Sequence, residues 1–214
     1  TALDNAVTAI EDTTFTFTST DFPIVDIEGD PVVSIDAIGL EGVGSLEFNG
    51  VPVSLNQTLT KADLDAGKLT FVPAADGYGP GYDTFKFTVN DGAADSNEAT
   101  LTVNVTAVND LPTTTDNRVT MNEDTAYIFV AEDFNFADID PDNLASIEIT
   151  SLESVGTMQL NSVDVALNQV ITRADIDAGL LRFTSLPNAV GTGYDAFDFT
   201  VNDGTADSTS SATL

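Results

Sequence analysis

Acidic side chains recur in short clusters along this chain, and clustered carboxylates are groups that bind hard cations such as Ca²⁺. The sequence has 35 Asp and Glu residues against 6 Lys and Arg residues, and 26 of the acids are Asp. Asp is the short acid that suits both turns and calcium-binding loops. The candidate ligands, in chain order, are Glu11, Asp12, Asp26, Glu28, Asp30, Asp63, Asp65, Asp91, Asn109, Asp110, Glu123, Asp138, Asp140, Asp142 and Asp203.

The spacing within these clusters favours shared ions. Asp26, Glu28 and Asp30 stand at alternate positions, so a curved loop can direct their carboxylates to one point. Asn109 and Asp110 add an amide, a carboxylate and backbone carbonyls beside a stiffening proline. Two alternatives stay open. Asp and Asn are ordinary turn residues, and acids spread over a surface are typical of a halophilic hydration coat. Four acidic clusters recur in each copy, and the linker adds a fifth element. Their constant order favours calcium binding over these alternatives.

Composition excludes several kinds of function. The net charge of −29 repels nucleic acid and anionic membranes. Cys, His and Trp are absent, so the chain has no disulfide, no thiolate or imidazole metal site and no histidine base. The apolar content of 42% is too high for a disordered acidic tail, yet no apolar run is long enough to span a membrane. We expect a folded protein that is not an enzyme.

The sequence repeats itself at an interval of 112 residues. Glu11-Asp12-Thr13 recurs as 123–125 (123 − 11 = 112), and 87–92 recurs as 199–204. A period of this size indicates whole domains in tandem. We predict one domain over 1–110 and a second over 111–214, with the last strand of the second truncated. Because no signal peptide is present and the pattern is cut at both ends, we expect a monomeric piece of a longer protein.

Strand patterning dominates each copy. The stretch 14–18 alternates Thr with Phe, and 83–89 places Phe85 and Phe87 on one face. The stretch 100–105 continues this period-2 pattern, which is typical of half-buried strands. About seven to nine such strands per copy predict an all-β fold of two tandem Greek-key β-sandwiches.

Two local signals are more specific. Asn49-Gly50 lies between two short strand-like runs and predicts a hairpin, because both residues tolerate positive φ. The stretch 60–67 predicts one helical turn, capped by Thr60 and ended by Gly67.

In their order, these motifs resemble cadherin repeats, and more closely the bacterial cadherin-like tandem repeats of giant surface adhesins, such as the extender regions of RTX-type adhesins. The phrases at 83–92 (Asp-x-Phe-x-Phe-x-Val-x-Asp-Gly) and 108–112 (Val-Asn-Asp-x-Pro) are common in those repeats. The segment 59–71 also resembles repeats of chondroitin-sulfate-proteoglycan-type proteins. The likeness spans both copies and departs from the pattern at Ala107 and at Pro141, which replaces Gly29 of the first copy. It implies cadherin- or immunoglobulin-like sandwiches.

The resemblance also implies a calcium site between the domains. Its ligands would be Glu11, Asp63 and Asp65 of the first copy, Asn109 and Asp110 of the linker, and Asp138, Asp140 and Asp203 of the second copy. The equivalent Asp26, Glu28 and Asp91 would face a preceding repeat, and Glu123, Asp175 and Asp177 a following one. Neighbouring repeats of the same chain are therefore the expected partners.

These features predict a calcium-binding structural extender of a large extracellular adhesin, which supports cell adhesion while other domains bind the cell-surface or glycan target. An alternative is an adhesive module that itself binds glycans or surfaces, with Tyr78, Tyr82 and Tyr194 stacking on sugars. A third is a glycosidase that uses paired carboxylates, although nothing in the sequence marks a catalytic pocket.

Overall fold

Strands build both halves of the chain in the computed structural model, which describes residues 1–40 and 42–214. The chain divides into unit 1, Thr1–Val108, and unit 2, Asn109–Leu214. This boundary falls two residues before the one predicted at 110. The fold is all-β, with two β-sandwiches in tandem.

Unit 1 has two sheets. Its strands are β1 Asn5–Ile10, β2 Phe15–Thr16, β3 Ser34–Gly39, β4 Ser45–Phe48, β5 Val51–Pro52, β6 Gln57–Thr60, β7 Leu69–Val72, β8 Gly79–Asn90 and β9 Ala99–Thr106. The sheet orders are β1-β9-β8-β3-β6 and β2-β7-β4-β5. β1 runs parallel to β9, and the other pairs within these sheets are antiparallel. Helix α1 spans Lys61–Asp65, and a 3₁₀ turn spans Ser19–Asp21.

Unit 2 repeats this plan with fewer paired residues. Its strands are β10 Ala126–Ile128, β11 Ser146–Ser151, β12 Thr157–Leu160, β13 Val163–Asp164, β14 Val170–Thr172, β15 Leu181–Thr184, β16 Asp198–Asn202 and β17 Ala212–Thr213. The sheet orders are β10-β15-β12-β13 and β14-β11-β16-β17. Helix α2 spans Arg173–Asp177, and a 3₁₀ turn spans Ala131–Phe134.

Alternating apolar residues form a core inside each sandwich. Phe85 and Phe87 of β8 are 1% and 0% exposed, while Lys86 between them is exposed. Phe22 meets the ring of Phe87 edge-on at 5.1 Å between centroids. Aromatic pairs in this geometry contribute beyond their buried area. The predicted inward faces of 83–89 and 100–105 are therefore confirmed.

The local signals hold, with one strand shorter than predicted. Asn49 and Gly50 have φ of 52° and 74° and join β4 to β5. Thr60 accepts a hydrogen bond from Asp63 N–H at the start of α1, and Gly67 ends the turn with φ of 69°. The strand predicted over 14–18 spans only Phe15–Thr16, although Phe17 N–H still donates to Leu69 O at 3.0 Å, and the 3₁₀ turn begins at Ser19.

A single carboxylate holds the three residues that precede β4. Asp83 accepts hydrogen bonds from the N–H groups of Gly42, Val43 and Gly44, at 2.9, 2.9 and 2.8 Å, and from that of Thr84 at 2.8 Å. Burial raises its pKa, but the four N–H donors together lower it further, so the pKa lies below its ordinary value. Asp195 holds the same loop of unit 2.

We predict that Asp83→Asn destabilises unit 1 by about 2–3 kcal/mol at pH 7, because an amide cannot accept all of these bonds. A lowered folded-state pKa adds stability that is present above the unfolded value, near 4, and is lost as pH falls through the folded value. The difference between wild type and variant, measured by urea unfolding, should therefore shrink below about pH 4. A difference that does not change with pH would refute this account.

Candidate metal centre

The acidic residues at the start of unit 2 form one group, which we call the aspartate cluster: Asn109, Asp110, Asp138, Asp140 and Asp203. A short antiparallel bridge between Thr113 and Ala137 brings the first two beside the loop that contains Asp138 and Asp140. Its two backbone hydrogen bonds are 2.7 and 2.9 Å long.

Asp203 joins the cluster from the end of β16. The turn that follows β16 contains Gly204 with φ of 107°, a conformation that favours glycine. Gly204 N–H donates to the Asn202 side chain at 2.7 Å, and Ala206 N–H donates to Asp203 Oδ1 at 2.7 Å. These bonds leave the other oxygen, Oδ2, directed toward the cluster.

Direct contacts connect the members of the cluster. Asn109 Nδ2 donates to Asp203 Oδ2 at 2.9 Å. The N–H of Asp110 donates to Asp140 Oδ2 at 2.8 Å, and the N–H of Asp140 donates to Asp138 Oδ1 at 3.0 Å. Carboxylate oxygens of Asp110 and Asp140 lie within 4.8 Å of each other.

This arrangement concentrates negative charge at partly buried positions. Asp140 and Asp203 are each only 9% exposed. The ion pairs described among residues 1–40 and 42–214 use Lys61, Lys68, Lys86 and Arg173, and none includes Asp138, Asp140 or Asp203. Two unit charges about 5 Å apart repel by about 3 kcal/mol at the effective dielectric of a protein surface.

One oxygen of the cluster has no hydrogen-bond donor. Asp138 Oδ2 is buried and accepts no hydrogen bond. In unit 1 the equivalent Asp26 Oδ1 accepts from the N–H groups of Gly29 and Asp30, at 2.9 and 3.2 Å. Pro141 stands where unit 1 has Gly29 and has no N–H to donate. Partly buried carboxylate and amide oxygens fit the donor set that Ca²⁺ prefers.

The pKa of Asp203 reflects these contacts. Burial raises it, but hydrogen bonds from Asn109 and from the N–H groups of Ala206 and Thr205 lower it further, so the pKa lies below its ordinary value. Asp203 is therefore charged at neutral pH, as a metal ligand must be.

The equivalent end of unit 1 is more open. Asp26 and Asp91 line a cavity of about 60 Å³ together with Asp95 and Thr1. Glu28 and Asp30 are exposed, as is Asp142 in unit 2. Hydrogen bonds from Ala94 and Ala93 N–H lower the pKa of Asp91. The structure thus brings Asp26 and Asp91 together and leaves the other predicted ligands of this loop in solvent.

Glu11 and Asp12 lie at the other end of unit 1. Glu11 is 1% exposed, and its Oε1 accepts a hydrogen bond from Val108 N–H, whereas its buried Oε2 has no hydrogen-bond partner. Asp12 has φ of 56° and accepts from Asp76 N–H at 3.3 Å, and the carboxylate oxygens of these two residues lie within 4.8 Å. Asp76 is missing from the sequence-based candidates because Ala-Asp-Gly looks like an ordinary turn.

The grouping of Asp63 and Asp65 with Glu11 is wrong for this fold. Glu11 follows β1 at the end where β9 finishes, since Ile10 pairs with Thr106. Helix α1 begins after Thr60, which pairs with Ser34, and Ser34 also pairs with Asn90. Because β8 and β9 are antiparallel, Asn90 lies at the opposite end of the sheet from Thr106. The helix therefore lies far from Glu11.

Basic side chains already engage the α1 carboxylates. Lys68 Nζ contacts Asp63 at 2.7 Å, and Lys61 pairs with Asp65. The hydrogen bond from Lys61, followed by that from Ser19, lowers the pKa of Asp65 to about 2. In unit 2, Arg173 pairs with Asp177 at 2.8 Å. These contacts explain the acidic residues of the helical turn without an ion.

Glu123, the counterpart of Glu11, is exposed in unit 2. Its neighbour Asp124 keeps the local role of Asp12 and accepts from Asn188 N–H at 2.9 Å. The corresponding ends of units 1 and 2 thus differ in one carboxylate, because Glu11 is buried and Glu123 is exposed.

Two of the tyrosines considered for sugar stacking have structural partners. Tyr82 OH accepts from Ala74 N–H at 3.1 Å, and its ring meets Phe71 edge-on. Tyr194 OH accepts from Leu186 N–H at 3.1 Å. Tyr78 is 41% exposed.

Comparison with known proteins gives a family match in both halves. A family model described as bacterial Ig domain matches residues 1–104 and again residues 109–214. Among curated proteins, the chain is 26% identical over 196 residues to integrin beta-like protein A of Dictyostelium discoideum. That match covers 88% of this chain and 10% of the other protein, so the chain spans about a tenth of its length.

Similar solved structures are distant. The crystal structure of murine CEACAM1b has 11% sequence identity and a TM-score of 0.22, with 99% of this chain and 95% of that chain covered. A mutant of the CFA/I enterotoxigenic E. coli adhesin CfaE has 11% identity and a TM-score of 0.23, with 94% and 85% covered. Neither score supports a structural argument. Within the described residues, no helix is long and apolar enough to cross a membrane.

Repulsion within the aspartate cluster should lower the free energy of unfolding of unit 2, and this can be tested. In metal-free buffer with a chelator, Asp140→Asn should raise the free energy of unfolding of unit 2 by about 1 kcal/mol, because it removes repulsion from Asp110 and keeps an acceptor oxygen. Urea unfolding measures the change.

Glu132→Gln is the matched control, since Glu132 is an exposed acid of the same unit. It should change stability by less than about 0.5 kcal/mol. Equal effects of the two variants would show that net charge, rather than the cluster, causes the gain.

Proposed function

This chain belongs to the bacterial Ig domain family in both of its halves, and from that premise we propose that it is a calcium-binding structural spacer of a large extracellular adhesin. Two Ig-like domains in tandem are typical of an extracellular surface or adhesin-type module. The likeness to a much longer integrin beta-like protein is consistent with a repeat segment of a large protein. In this proposal the role is mechanical and not catalytic.

The observation that carries the calcium part is the aspartate cluster. Four carboxylates meet, three of which, those of Asp138, Asp140 and Asp203, have no basic partner among the described residues, and Asp138 Oδ2 is buried without a donor. Asn109 adds an amide oxygen. Hard cations with six to eight oxygen ligands suit such a set, whereas sites for softer metals use the Cys or His that this sequence lacks.

Calcium would stiffen the connection between repeats by neutralising the like charges of the aspartate cluster. Without the ion, the like charges of Asp110, Asp138, Asp140 and Asp203 repel and favour loosening of the first residues of unit 2. With the ion, the same oxygens hold Asn109 and Asp110 to the loop and to the end of β16. Since Asn109 and Asp110 directly follow unit 1 in the chain, their immobilisation restricts the connection between consecutive repeats.

The calcium affinity expected of extracellular modules indicates where in or outside the cell the site would be occupied. Extracellular calcium modules have dissociation constants of about 10⁻⁴ to 10⁻³ M. Such sites fill outside cells, where calcium is millimolar, and empty inside them. We therefore propose that the chain works at the cell surface or in the extracellular space, with neighbouring repeats of the same chain as partners.

Calcium titration of the 214-residue chain tests the binding proposal. Isothermal calorimetry should give a dissociation constant of about 0.1–1 mM. At 100-fold excess over that constant, each site should add about 2.7 kcal/mol of stability. Asp138→Asn and Asp203→Asn should each abolish most of this gain, whereas Glu132→Gln should keep it.

Small-angle scattering tests the spacer role separately. Addition of calcium should narrow the distribution of distances between the units, and Asp203→Asn should prevent that change. Binding without any change in scattering would leave a calcium site but refute the spacer role. Absence of binding up to 10 mM calcium would refute both.

A glycan-binding role is the second candidate, and the contacts of the tyrosines weigh against it. The hydroxyls of Tyr82 and Tyr194 serve the backbone, and the ring of Tyr82 packs on Phe71. Tyr78 alone of the three has the exposure that sugar stacking needs. Saturable binding on a glycan array, lost in Tyr78→Ala, would favour this role instead.

A further inference from the structure

Several aliphatic side chains are exposed at the same positions of both units. Val51 of unit 1 is 63% exposed, and its counterpart Val163 of unit 2 is 69% exposed. Leu55 and its counterpart Leu167 are 56% and 52% exposed. Two more pairs share this property: Leu40 with Leu152, and Val43 with Val155. Because these side chains face solvent, packing inside the sandwich does not explain why both copies carry them.

Other exposed aliphatic positions differ between the copies. Ile10 of unit 1 corresponds to Asn122, and Val33 corresponds to Ala145. One further identical pair lies in the acidic loops: Ile27 with Ile139. The four pairs outside those loops therefore mark a surface that the two repeats share.

The four positions of each unit lie along one edge of its sandwich. β5 is the outermost strand of one sheet and β6 that of the other, and the segment 53–56 connects them. This segment is hydrogen-bonded to both sheets, since Val53 N–H donates to Leu46 O at 2.9 Å and Asn56 N–H donates to Ala37 O at 2.6 Å. Leu40 and Val43 follow β3, which pairs with β6, and precede β4, which pairs with β5. We call the aliphatic edge the residues Leu40, Val43, Val51 and Leu55, with their counterparts in unit 2.

Hydrogen bonds fix the backbone of the aliphatic edge in both units. Val43 N–H donates to Asp83 Oδ2 at 2.9 Å, and Val155 N–H donates to Asp195 Oδ2 at the same distance. Binding costs less when the interface backbone is already held in place. The edge is therefore a preorganised surface rather than a loose loop.

The aliphatic edge is also poor in charge. The stretch 48–60 contains no charged residue, and the equivalent stretch 160–172 contains only Asp164. The whole chain carries a net charge of −29. Another equally acidic molecule is repelled least where it approaches an uncharged surface.

Pairing of the outer strands with another β-strand is disfavoured in both units. Pro52 of β5 has no N–H group, and Asp164 places a charge at the same position of β13. Proline and charged residues on an edge strand are the usual means of preventing sheet extension. Contact at this edge would therefore use side chains and not backbone hydrogen bonds.

The size of the edge indicates what kind of partner it suits. Four half-exposed aliphatic side chains amount to a few hundred Å², well below the roughly 800 Å² per partner of a standard interface. One unit alone is thus too small for stable docking, and a partner has to engage consecutive units. Such a partner has to carry a matching surface at the same interval of 112 residues, as a second copy of this chain does.

We propose that the aliphatic edges are a lateral docking surface for a second copy of this chain. Each pair of edges binds weakly, and the contributions of consecutive units add because the first contact raises the effective concentration of the next. This docking does not depend on the aspartate cluster or on calcium. Chains held close together on one surface would therefore associate side by side.

Association of the 214-residue chain tests the inference, with a chelator present so that calcium binding has no influence. Sedimentation velocity up to about 0.5 mM protein covers the weak range expected of a small interface. In 1 M NaCl, where the Debye length is about 3 Å, the wild type should dimerise with a dissociation constant of about 1 mM or less. In 0.1 M NaCl, where it is about 10 Å, repulsion between the copies should weaken dimerisation.

Paired leucine variants test the surface itself. Leu55→Ser combined with Leu167→Ser should weaken dimerisation at least about fivefold, since it removes a leucine from each edge. Leu3→Ser combined with Leu186→Ser is the matched control. These two leucines are 43% and 53% exposed, lie away from the edge and have no leucine counterpart in the other unit. The control should dimerise like the wild type.

The absence of native cysteine allows the contact to be located by cross-linking. Ser54→Cys combined with Ala166→Cys places one exposed thiol at each edge. Thr14→Cys combined with Ala126→Cys places exposed thiols beside β2 and in β10, at the opposite side of the same sheets. With diamide as the oxidant in 1 M NaCl, disulfide-linked dimers should form several times faster from the first variant.

Three results would each overturn the inference: a chain that stays monomeric in 1 M NaCl, equal dimerisation of the two leucine variants, or equal cross-linking of the two cysteine variants. Dimerisation that weakens as salt rises would overturn it as well, because ion pairs and not the uncharged edge would then join the copies.

Discussion

Thirty-five acidic side chains share six basic ones in this chain, so most carboxylates depend on backbone N–H groups or on solvent. Four N–H groups hold Asp83, those of Gly42, Val43, Gly44 and Thr84. Asp91 and Asp203 each hold the turn that follows a core strand. The acids thus organise the loops of both sandwiches.

In the aspartate cluster, backbone N–H groups do not provide a donor to every carboxylate oxygen. A backbone segment has only as many N–H groups as residues, and a proline has none. Pro141 removes the donor that Gly29 provides to Asp26 in unit 1, so that Asp138 keeps a buried oxygen without a donor. The same sandwich therefore offers a self-satisfied loop in one copy and an electron-rich pocket of oxygens in the other. A single residue difference between two repeats thus changes which carboxylate oxygens receive a backbone donor.

Local chemistry made much of the fold predictable. The Asn49-Gly50 hairpin, the Thr60 cap and the alternation around Phe85 depend on a few neighbouring residues, and the structure confirms each of them. Which elements lie at the same end of a sheet was not predictable from neighbouring residues. Whether α1 lies near Glu11 depends on the order of β6, β3, β8 and β9 in the sheet, which is a property of long-range pairing.

In the candidate site, too, the residues placed by local sequence were predictable and those placed by long-range contacts were not. The loop spacing and the strand-end aspartate identified Asp138, Asp140 and Asp203, because these positions follow from one loop and one turn. Asp76 was missed, since its proximity to Asp12 arises between segments 64 residues apart. The role of Asp83 was hidden for a similar reason: its sequence repeat was visible, but the loop that returns over it was not.

The parallel pairing of β1 with β9 has a mechanical consequence for unit 1. The chain enters through β1 and leaves through β9, and six consecutive residue pairs join these strands. A tensile load applied to the two ends of the unit pulls the strands along their own axes in opposite directions. All rungs of the ladder then resist in shear and must break together, whereas a hairpin pulled at its open end would unzip one rung at a time.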